Sequence, residues 1–295
     1  MIAGPTASGK SALALEEAER RDGSIINADA SQLYADIPIL SAQPDAAARA
    51  RVPHLLYGVI DGAEACSAAR WAAMARAAIA DVQAAGRLPV LVGGTGLYLR
   101  TLIEGIAPVP PIAPDLRAAV RALDPAAVRA ALVLEDPRMA ARLHPNDPQR
   151  NARALEVIRG TGRSLADWQA LTEGGIGRDM EIEAWLLMPG LDLLGQRIAA
   201  RFARMIAAGG LGEVARLAAR GLDPGVPVMK ALGVPSLLAH LAGRLDLDEA
   251  VAAAVSQTRA YARRQRTWFA RGGQARFWLA TARYLPAQGE SPILG

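Results

Sequence analysis

Side chains that commonly supply disulfide, redox or metal chemistry are scarce in this 295-residue chain. A single cysteine, Cys66, excludes an internal disulfide framework and a CxxC metal site. The three histidines, His54, His144 and His240, lie far apart and lack the spacing of metal ligands. The chemistry of the chain must therefore come from other side chains or from bound groups.

Long apolar runs are missing as well. No stretch approaches the ~20 apolar residues of a membrane span, and no basic segment followed by an apolar one opens the chain. We therefore expect no membrane association and a cytoplasmic location. With 52% hydrophobic residues the chain can form one large core or two domains, and its net charge of +4 permits a polyanionic partner without requiring one.

Lysine occurs at two positions only, against 31 arginines, and one of the two lies in a phosphate-loop motif. The segment GPTASGKS fits G-x-x-x-x-G-K-[ST], in which glycines let successive backbone N–H groups point inward at the start of a helix. Lys10 would reach the outer phosphate and Ser11 would bind Mg²⁺. The predicted phosphate-binding residues are Gly4, Pro5, Thr6, Ala7, Ser8, Gly9, Lys10 and Ser11. Only three residues precede the loop, so the first strand is short or the true start lies upstream.

Residues 1–104 alternate between strand-like and helix-like segments, as in a parallel α/β sheet. Apolar strands SIINAD and LPVLVGG follow the phosphate loop. Because ligands of such sheets bind beyond the carboxyl ends of the strands, we expect Gly4, Asp29 and Gly94 to meet at one edge. The predicted fold class is a P-loop NTPase-like parallel α/β core.

A proline-rich break at 107–114 separates this core from a helical region. Asp-Pro pairs at Asp124, Asp136 and Asp147 are typical of helix starts. We predict a helical insertion over 112–180 and a catalytic core formed by 1–111 and 181–295. A strand is expected at 181–189 and helices after it.

The C-terminal region contains no acidic residue between 250 and 289, but it carries seven arginines: Arg259, Arg263, Arg264, Arg266, Arg271, Arg276 and Arg283. Helical spacing places Arg259, Arg263 and Arg266 on one face, with Tyr261 and Trp268 between them. Such a face suits phosphates and stacked bases. A solvated cationic helix explains this stretch equally well.

Several segments together resemble the tRNA dimethylallyltransferase (tRNA isopentenyltransferase) family in its bacterial form. The segments that carry the resemblance, in chain order, are GPTASGKS, INADASQLY, VPHLLYG, VGGTGLYL, NDPQRNARALEV and QTRAYARRQRTWF. The resemblance implies transfer of a dimethylallyl group from its diphosphate to N6 of the adenine 3′ of the tRNA anticodon. The phosphate loop, which usually indicates ATP, would then bind the diphosphate that leaves, with Mg²⁺ as cofactor.

The resemblance also implies roles for individual residues. Asp29 would accept the proton of the adenine amine, although a Mg²⁺-holding acid is the alternative. Thr95 would hydrogen-bond near the reacting amine or the diphosphate, and Arg201 would hold the diphosphate. The implied tRNA contacts are Ala30, Ser31, Gln32, Arg117, Gln149, Arg150, Asn151, Ala152, Arg153, Arg259 and Arg263.

This chain departs from the family pattern at Ala30, where serine is usual, and at Gln43, where lysine is usual. Three other functions remain alternatives: a small-molecule kinase, a prenyltransferase acting on free adenine nucleotides, and a non-catalytic RNA-binding module. The insertion and the basic helix favour tRNA, because a mononucleotide has no stem-loop to hold. The expected partners are the anticodon stem-loop and dimethylallyl diphosphate, bound by a monomer.

Overall fold

The computed structural model describes residues 1–270 and, for the backbone alone, residues 282–285. Predicted features at Arg271, Arg276 and the side chain of Arg283 therefore lie outside the described residues. Within the described part the strands are β1 (Ile2–Ala3), β2 (Gly23–Asn27), β3 (His54–Leu55), β4 (Leu88–Gly93), β5 (Ala184–Leu187) and β6 (Ala282–Leu285).

The strands form one sheet in the order β3-β2-β4-β1-β5-β6, and every neighbouring pair is parallel. The predicted parallel α/β core is confirmed. Because β2, β4 and β1 are neighbours, the residues that follow them meet at one edge, as expected for Asp29, Gly94 and Gly4. β1 has only two residues in this chain.

Two strands were not predicted. β3 is a two-residue edge strand, and β6 lies in a region for which helices alone were expected. β6 pairs with β5 over four residues, so its strand conformation depends on a partner almost a hundred residues earlier in the chain. Local sequence patterns do not contain that information.

Thirteen α-helices surround or follow the strands in the described residues: α1 (Lys10–Arg20), α2 (Ala46–Arg51), α3 (Ala68–Ala84), α4 (Gly96–Glu104), α5 (Pro114–Ala122), α6 (Pro125–Glu135), α7 (Pro137–Arg142), α8 (Pro148–Thr161), α9 (Leu165–Gln169), α10 (Leu191–Ala207), α11 (Gly210–Ala219), α12 (Val234–Leu241) and α13 (Leu247–Ala270). None of these helices has both the length and the apolar character that crossing a bilayer requires.

The chain divides into two compact units, one made of residues 1–102 and 179–295 and the other of residues 103–178. The second unit begins earlier than residue 112. Ile106 and Glu173 exchange backbone hydrogen bonds of 3.0 and 3.1 Å, which join the two ends of this unit. The pairing explains why its boundary precedes the proline-rich break.

Three helices of the second unit begin as the Asp-Pro pairs predicted. The carboxylates of Asp124, Asp136 and Asp147 accept backbone N–H groups of α6, α7 and α8, respectively. Proline follows each cap at the first helical position, where its missing N–H has no cost. The helices pack around their own apolar core, which includes Val128, Leu132 and Leu155.

Candidate active site

The phosphate-loop motif has the predicted strand–loop–helix form. β1 ends at Ala3, α1 begins at Lys10, and residues 4–9 make the turn between them. Gly9 has a φ of 98° and Ala7 a φ of 62°, both in the left-handed region. Such a turn directs backbone N–H groups toward one point at the positive end of the helix dipole. The loop is therefore built to bind an anion.

Lys10 is buried, with 8% of its surface exposed. Its Nζ donates to the carbonyl oxygen of Pro5 at 3.3 Å. Burial lowers the pKa of Lys10 to about 8, against the raising effect of Asp29 and with the further lowering effect of Arg201. Keeping Lys10 charged at this buried position therefore costs free energy unless an anion lies beside it.

Arg201 extends from α10 to the phosphate loop. Its Nη1 donates to Thr6 Oγ1 at 3.5 Å, and its Nη2 donates to the carbonyl oxygen of Ser41 at 3.4 Å. Burial lowers the pKa of Arg201, and the charge of Asp29 opposes that shift. Arg201 therefore lies beside the phosphate loop, and its contact with the diphosphate stays a prediction.

Asp29 follows β2 and is held in a defined conformation. Its backbone N–H donates to Asn27 Oδ1 at 2.8 Å, while its own Oδ1 accepts Ser31 Oγ at 2.7 Å and Ser31 N at 3.1 Å. The carboxylate belongs to the same site as Lys10 and Arg201, since its charge acts on both of their pKa values.

Thr95 connects Asp29's segment to α13. Its Oγ1 accepts the backbone N–H of Ala30 at 2.9 Å and also hydrogen-bonds the Tyr261 hydroxyl. Burial and the nearby charge of Asp29 raise the pKa of Tyr261. Thr95 thus orients the segment that carries Asp29.

These groups line a cavity of about 260 Å³. Its polar lining is Thr6, Lys10, Ser11, Asp29, Ser31, Gln32, Ser41, Arg201, Thr258 and Tyr261, and its apolar lining is Ile37, Leu40, Ala42, Ile198, Phe202, Met205, Ala231 and Leu232. One cavity thus combines an anion-binding loop, a carboxylate and an apolar surface.

A second cavity, of about 310 Å³, lies against residues 7–12 of the phosphate loop. Arg197, Arg201 and Arg204 complete its lining. Lys10, Ser11 and Arg201 contribute to both cavities. The loop therefore has cations of α10 along its outer side, and Arg197 and Arg204 were not identified from the sequence. Arg197 lies four residues before Arg201 and Arg204 three residues after it, and this helical spacing was the signal that could have identified them.

Some predicted phosphate-loop contacts take a different part. Ser8 is buried and its hydroxyl has no hydrogen-bond partner, although the residue contributes to the lining of the second cavity. The buried Gly4 and Pro5 shape the turn. The N–H of Thr6 donates to Gln265 Oε1 at 2.8 Å and so is not directed at a ligand. The Thr6 N–H is therefore not available to a phosphate, and phosphate contacts of the other loop residues stay a prediction.

Gln32 lines the cavity but is also structural. Its Nε2 donates to the carbonyl oxygens of Ser41 and Ala42, at 3.1 and 2.7 Å. Any contact with a base would therefore fall to its amide oxygen.

In the second unit, three arginines surround one buried carboxylate, that of Glu156. Arg121 and Arg153 approach it at 3.0 and 3.2 Å, and Arg117 at 3.8 Å. Arg117 and Arg153, which were expected to contact tRNA, are therefore paired within the protein. The sequence could not show this, because the partner of Arg117 is on another helix.

Asn151 was wrongly expected to contact tRNA. It is 1% exposed, and its side chain donates to the carbonyl oxygens of His144 and Asp147 and accepts from Arg129. Ala152 is half-buried, whereas Gln149 and Arg150 at the start of α8 are exposed. Arg150 is 3.4 Å from Asp147, across an exposed pair.

The predicted arginine face of α13 is only partly free. Arg259 is exposed and donates to the carbonyl oxygen of Gly195 at 3.3 Å, and Arg263 is exposed. Arg266 instead donates to the carbonyl oxygens of Met188 and Pro189. Trp268 packs against Gly96, where an added Cβ would lie 2.3 Å from the ring. Of the two aromatic residues expected to stack on bases, Tyr261 lines the cavity, and Trp268 packs against the start of α4.

Gln265 on α13 was not predicted as a site residue. It is 6% exposed, and its amide hydrogen-bonds both Thr6 of the phosphate loop and Gly94, in the glycine turn that follows β4. The signal was its position inside the motif TRAYARRQRTWF, of which only the arginines, Tyr261 and Trp268 were considered.

The family model described as IPP transferase matches residues 32–272, more than half of the chain. The chain belongs to the IPP transferase family. The resemblance stated from the motifs is thereby confirmed.

Relatives of this IPP transferase family member are similar over most of its length. One named tRNA dimethylallyltransferase, from Sphingopyxis alaskensis, is 55% identical over 91% of this chain and 88% of its own. Another of that name, from Rhodospirillum centenum, is 52% identical over 91% of this chain and 87% of its own.

Solved structures of the same family share the fold. A eukaryotic dimethylallyltransferase described as acting on tRNA superposes with a TM-score of 0.83 at 27% identity, over 97% of this chain and 73% of that one. The full-length tRNA isopentenylpyrophosphate transferase of Bacillus halodurans gives a TM-score of 0.68 at 30% identity, over 97% and 88% of the two chains.

Proposed function

We propose that this protein transfers a dimethylallyl group from dimethylallyl diphosphate to N6 of the adenine 3′ of the anticodon in tRNA and releases diphosphate. The observation that carries the proposal is one cavity that combines an anion-binding loop, the Asp29 carboxylate and apolar side chains. The relatives named tRNA dimethylallyltransferase support the same reaction.

The phosphate loop would bind the diphosphate. Negative charge grows on this group as the allylic C–O bond breaks, and fixed donors stabilise it most at that moment. Lys10 and Arg201 line the cavity and are already held in place by hydrogen bonds to uncharged partners, one of which is Thr6 Oγ1. Their positive charge is therefore available to the leaving diphosphate.

Mg²⁺ is the expected cofactor, and the residues present fit it. Mg²⁺ in phosphate sites is held by one or two protein oxygens together with substrate phosphates and water. Ser11 and Asp29 line the same cavity and offer such oxygens. A group of three or more His, Cys, Asp or Glu side chains able to hold a metal alone is not found in the described part of the chain, which agrees with a metal that arrives with the diphosphate. When bound, Mg²⁺ would neutralise part of the diphosphate charge.

Asp29 would accept the proton from the adenine amine as N6 attacks the allylic carbon. Its Oδ1 is held by Ser31, so the carboxylate has a fixed orientation in the cavity. Thr95 fixes the adjoining N–H of Ala30. The alternative role, as an acid that orients Mg²⁺, uses the same position.

The apolar part of the cavity would hold the five-carbon group and exclude water. Phe202 and Met205 of α10, with Leu40 and Leu232, supply this surface. Exclusion of water protects the allylic carbon from hydrolysis and strengthens the charge interactions nearby.

The target adenine must leave the stacked anticodon loop to reach this cavity, as bases do in other enzymes that modify them. Ser31, Gln32 and Ala30 would lie beside the flipped base. On the tRNA backbone we expect the exposed residues Gln149, Arg150, Arg259 and Arg263, together with the half-buried Ala152. We further propose that the protein acts as a monomer in the cytoplasm.

The deciding experiment incubates the protein with unmodified tRNA, dimethylallyl diphosphate and Mg²⁺, followed by nucleoside mass analysis. We expect prenylated adenosine at the position 3′ of the anticodon, formed without ATP. AMP offered in place of tRNA distinguishes a prenyltransferase of free nucleotides. Phosphoryl transfer from ATP without prenylation would favour the kinase instead.

A further inference from the structure

The amide of Gln265 links two loops at the edge of the sheet. Its Oε1 accepts the backbone N–H of Thr6 at 2.8 Å, and its Nε2 donates to the carbonyl oxygen of Gly94 at 2.8 Å. The side chain is 6% exposed, so water does not compete for either bond.

The link lies where the sheet can no longer hold these loops together. β1 and β4 pair through Ile2 with Val92 and Ala3 with Gly93. Pro5 follows shortly after and has no N–H to continue the ladder. Beyond Ala3 and Gly93, the Gln265 amide takes over the connection between the two chain segments.

Each end of the link leads to a different part of the proposed reaction. Thr6 belongs to the phosphate loop, and its hydroxyl contacts Arg201. Gly94 precedes Thr95, which holds the N–H of Ala30 beside Asp29. The Gln265 bonds thus connect the residues that would bind the leaving diphosphate with those that would receive the adenine.

The site is shaped for this amide. A Cβ on Gly94 would lie 2.4 Å from Nε2, so only glycine lets the side chain approach the carbonyl. An amide supplies one acceptor and one donor, and both are required here. An ionised carboxylate could accept the Thr6 N–H but could not donate to Gly94.

We propose that Gln265 is a positioning residue that sets the distance between the phosphate loop and the Thr95 turn, and so between the two reacting groups. The inference rests on the proposed transfer reaction. A displacement of about 1 Å in such an arrangement costs ~10²-fold in rate. The effect falls on kcat, because each loop keeps its own ligand contacts.

The test compares Gln265→Glu and Gln265→Met with Gln257→Glu, which changes an exposed glutamine of the same helix. For Gln265→Met we expect kcat to fall ~10- to 100-fold at every pH, with KM for both substrates changed less than about threefold. Gln257→Glu should behave as wild type.

Gln265→Glu should recover as the pH falls from 8 to 6, because the protonated carboxyl can donate to Gly94 again. Lys10, Asp29, Arg201 and Tyr261 also titrate or carry charge around the site. Rates are therefore divided by those of wild type at the same pH. The proposal is overturned if the rate of Gln265→Glu relative to wild type does not change with pH, or if kcat of Gln265→Met stays within twofold of wild type. A fall in melting temperature large enough to account for the lost activity would overturn it as well.

Amide hydrogen exchange gives a readout that does not need the reaction. The segment that contains Thr6 should exchange faster in Gln265→Met than in wild type or Gln257→Glu. Unchanged exchange contradicts the link. Wild-type protein that forms no prenylated adenosine would refute the proposed function, while the exchange data would still decide whether Gln265 fixes the loop.

Discussion

Two groups of charged side chains, one in each compact unit, differ in the kind of partner that their cations have. Around Glu156 in the second unit, three arginines bring positive charge to one buried carboxylate. In the first unit, Lys10 and Arg201 hydrogen-bond to Pro5, Thr6 and Ser41, which carry no charge. The arginines of the second unit therefore have a carboxylate as their direct partner, whereas Lys10 and Arg201 have only uncharged hydrogen-bond partners.

The pKa values of Lys10 and Arg201 show that burying these two cations costs free energy. Burial lowers the pKa of Lys10 and of Arg201 in the first unit, although Asp29 opposes both shifts. A buried cation without close ion pairing destabilises the fold, and such costs concentrate at functional sites. The presence of an arginine in a family motif, as for Arg153, is therefore no evidence that it binds a ligand until its partner in the protein is known.

The largest effect should come from Lys10→Met. Loss of one fixed donor at a developing charge lowers transfer by ~10²–10³-fold. The melting temperature should stay the same or rise, because the variant no longer buries a cation. Single-turnover transfer and thermal melting measure the two effects. Arg121→Met, which removes a partner of Glu156, is the matched control and should leave transfer unchanged; near-normal transfer by Lys10→Met contradicts the role of its charge.

Asp29→Asn should lower turnover by ~10²-fold or more, the usual scale of general base catalysis. The new amide oxygen can still accept the Ser31 bonds, so the local geometry is kept. We expect tRNA affinity close to wild type in filter binding. Asp22→Asn, at an exposed ion pair with Arg87, serves as the control. Turnover within threefold of wild type would remove Asp29 from catalysis.

Glu156→Gln tests the arginine–carboxylate group of the second unit. The substitution turns one buried acceptor oxygen into an N–H₂ group that faces arginine donors, so it should destabilise the protein by about 1–3 kcal/mol. Transfer per folded molecule at saturating tRNA should not change. Denaturant unfolding measures the loss, with Glu135→Gln, from an exposed pair with Arg159, expected to cost less. Equal losses in the two variants would mean that burial of Glu156 adds nothing.

The affinity for dimethylallyl diphosphate should fall as the pH rises above about 8, the pKa of Lys10 in the free protein. The bound anion favours the charged lysine and raises its pKa, so binding takes up a proton above pH 8 and needs none below it. The expected slope is about tenfold per pH unit, until the pKa of the complex is reached. Calorimetric titration from pH 7 to 10 measures it, and Lys10→Met should lose the slope.

The smallest effect is expected for Arg150→Ala, which removes an exposed arginine of α8. If Arg150 contacts a tRNA phosphate, the slope of log Kd against log salt should fall by about 1. Arg159→Ala is the comparison, because Arg159 already pairs with Glu135 at 2.6 Å. Identical salt slopes for Arg150→Ala and wild type would exclude this contact.

Contiguous motifs account for the features that were predictable. GPTASGKS determines a turn and a helix start through its own glycines, and the Asp-Pro pairs determine three helix starts through local hydrogen bonds. The apolar strands with Asp29 and Gly94 at their ends indicated a parallel sheet and its ligand-binding edge. In each case the interacting groups are close in sequence or are repeated in a regular pattern.

Partners distant in the chain account for what was missed. β6 is a strand because it pairs with β5. Arg266 is not available to bind RNA because it donates to the carbonyl oxygen of Met188, just after β5. Gln265 reaches Thr6 across 259 positions of sequence. No local pattern encodes which buried donor meets which acceptor. The motifs determined the type of loop and the family, whereas tertiary packing decided which charges are paired and which stay free for a ligand.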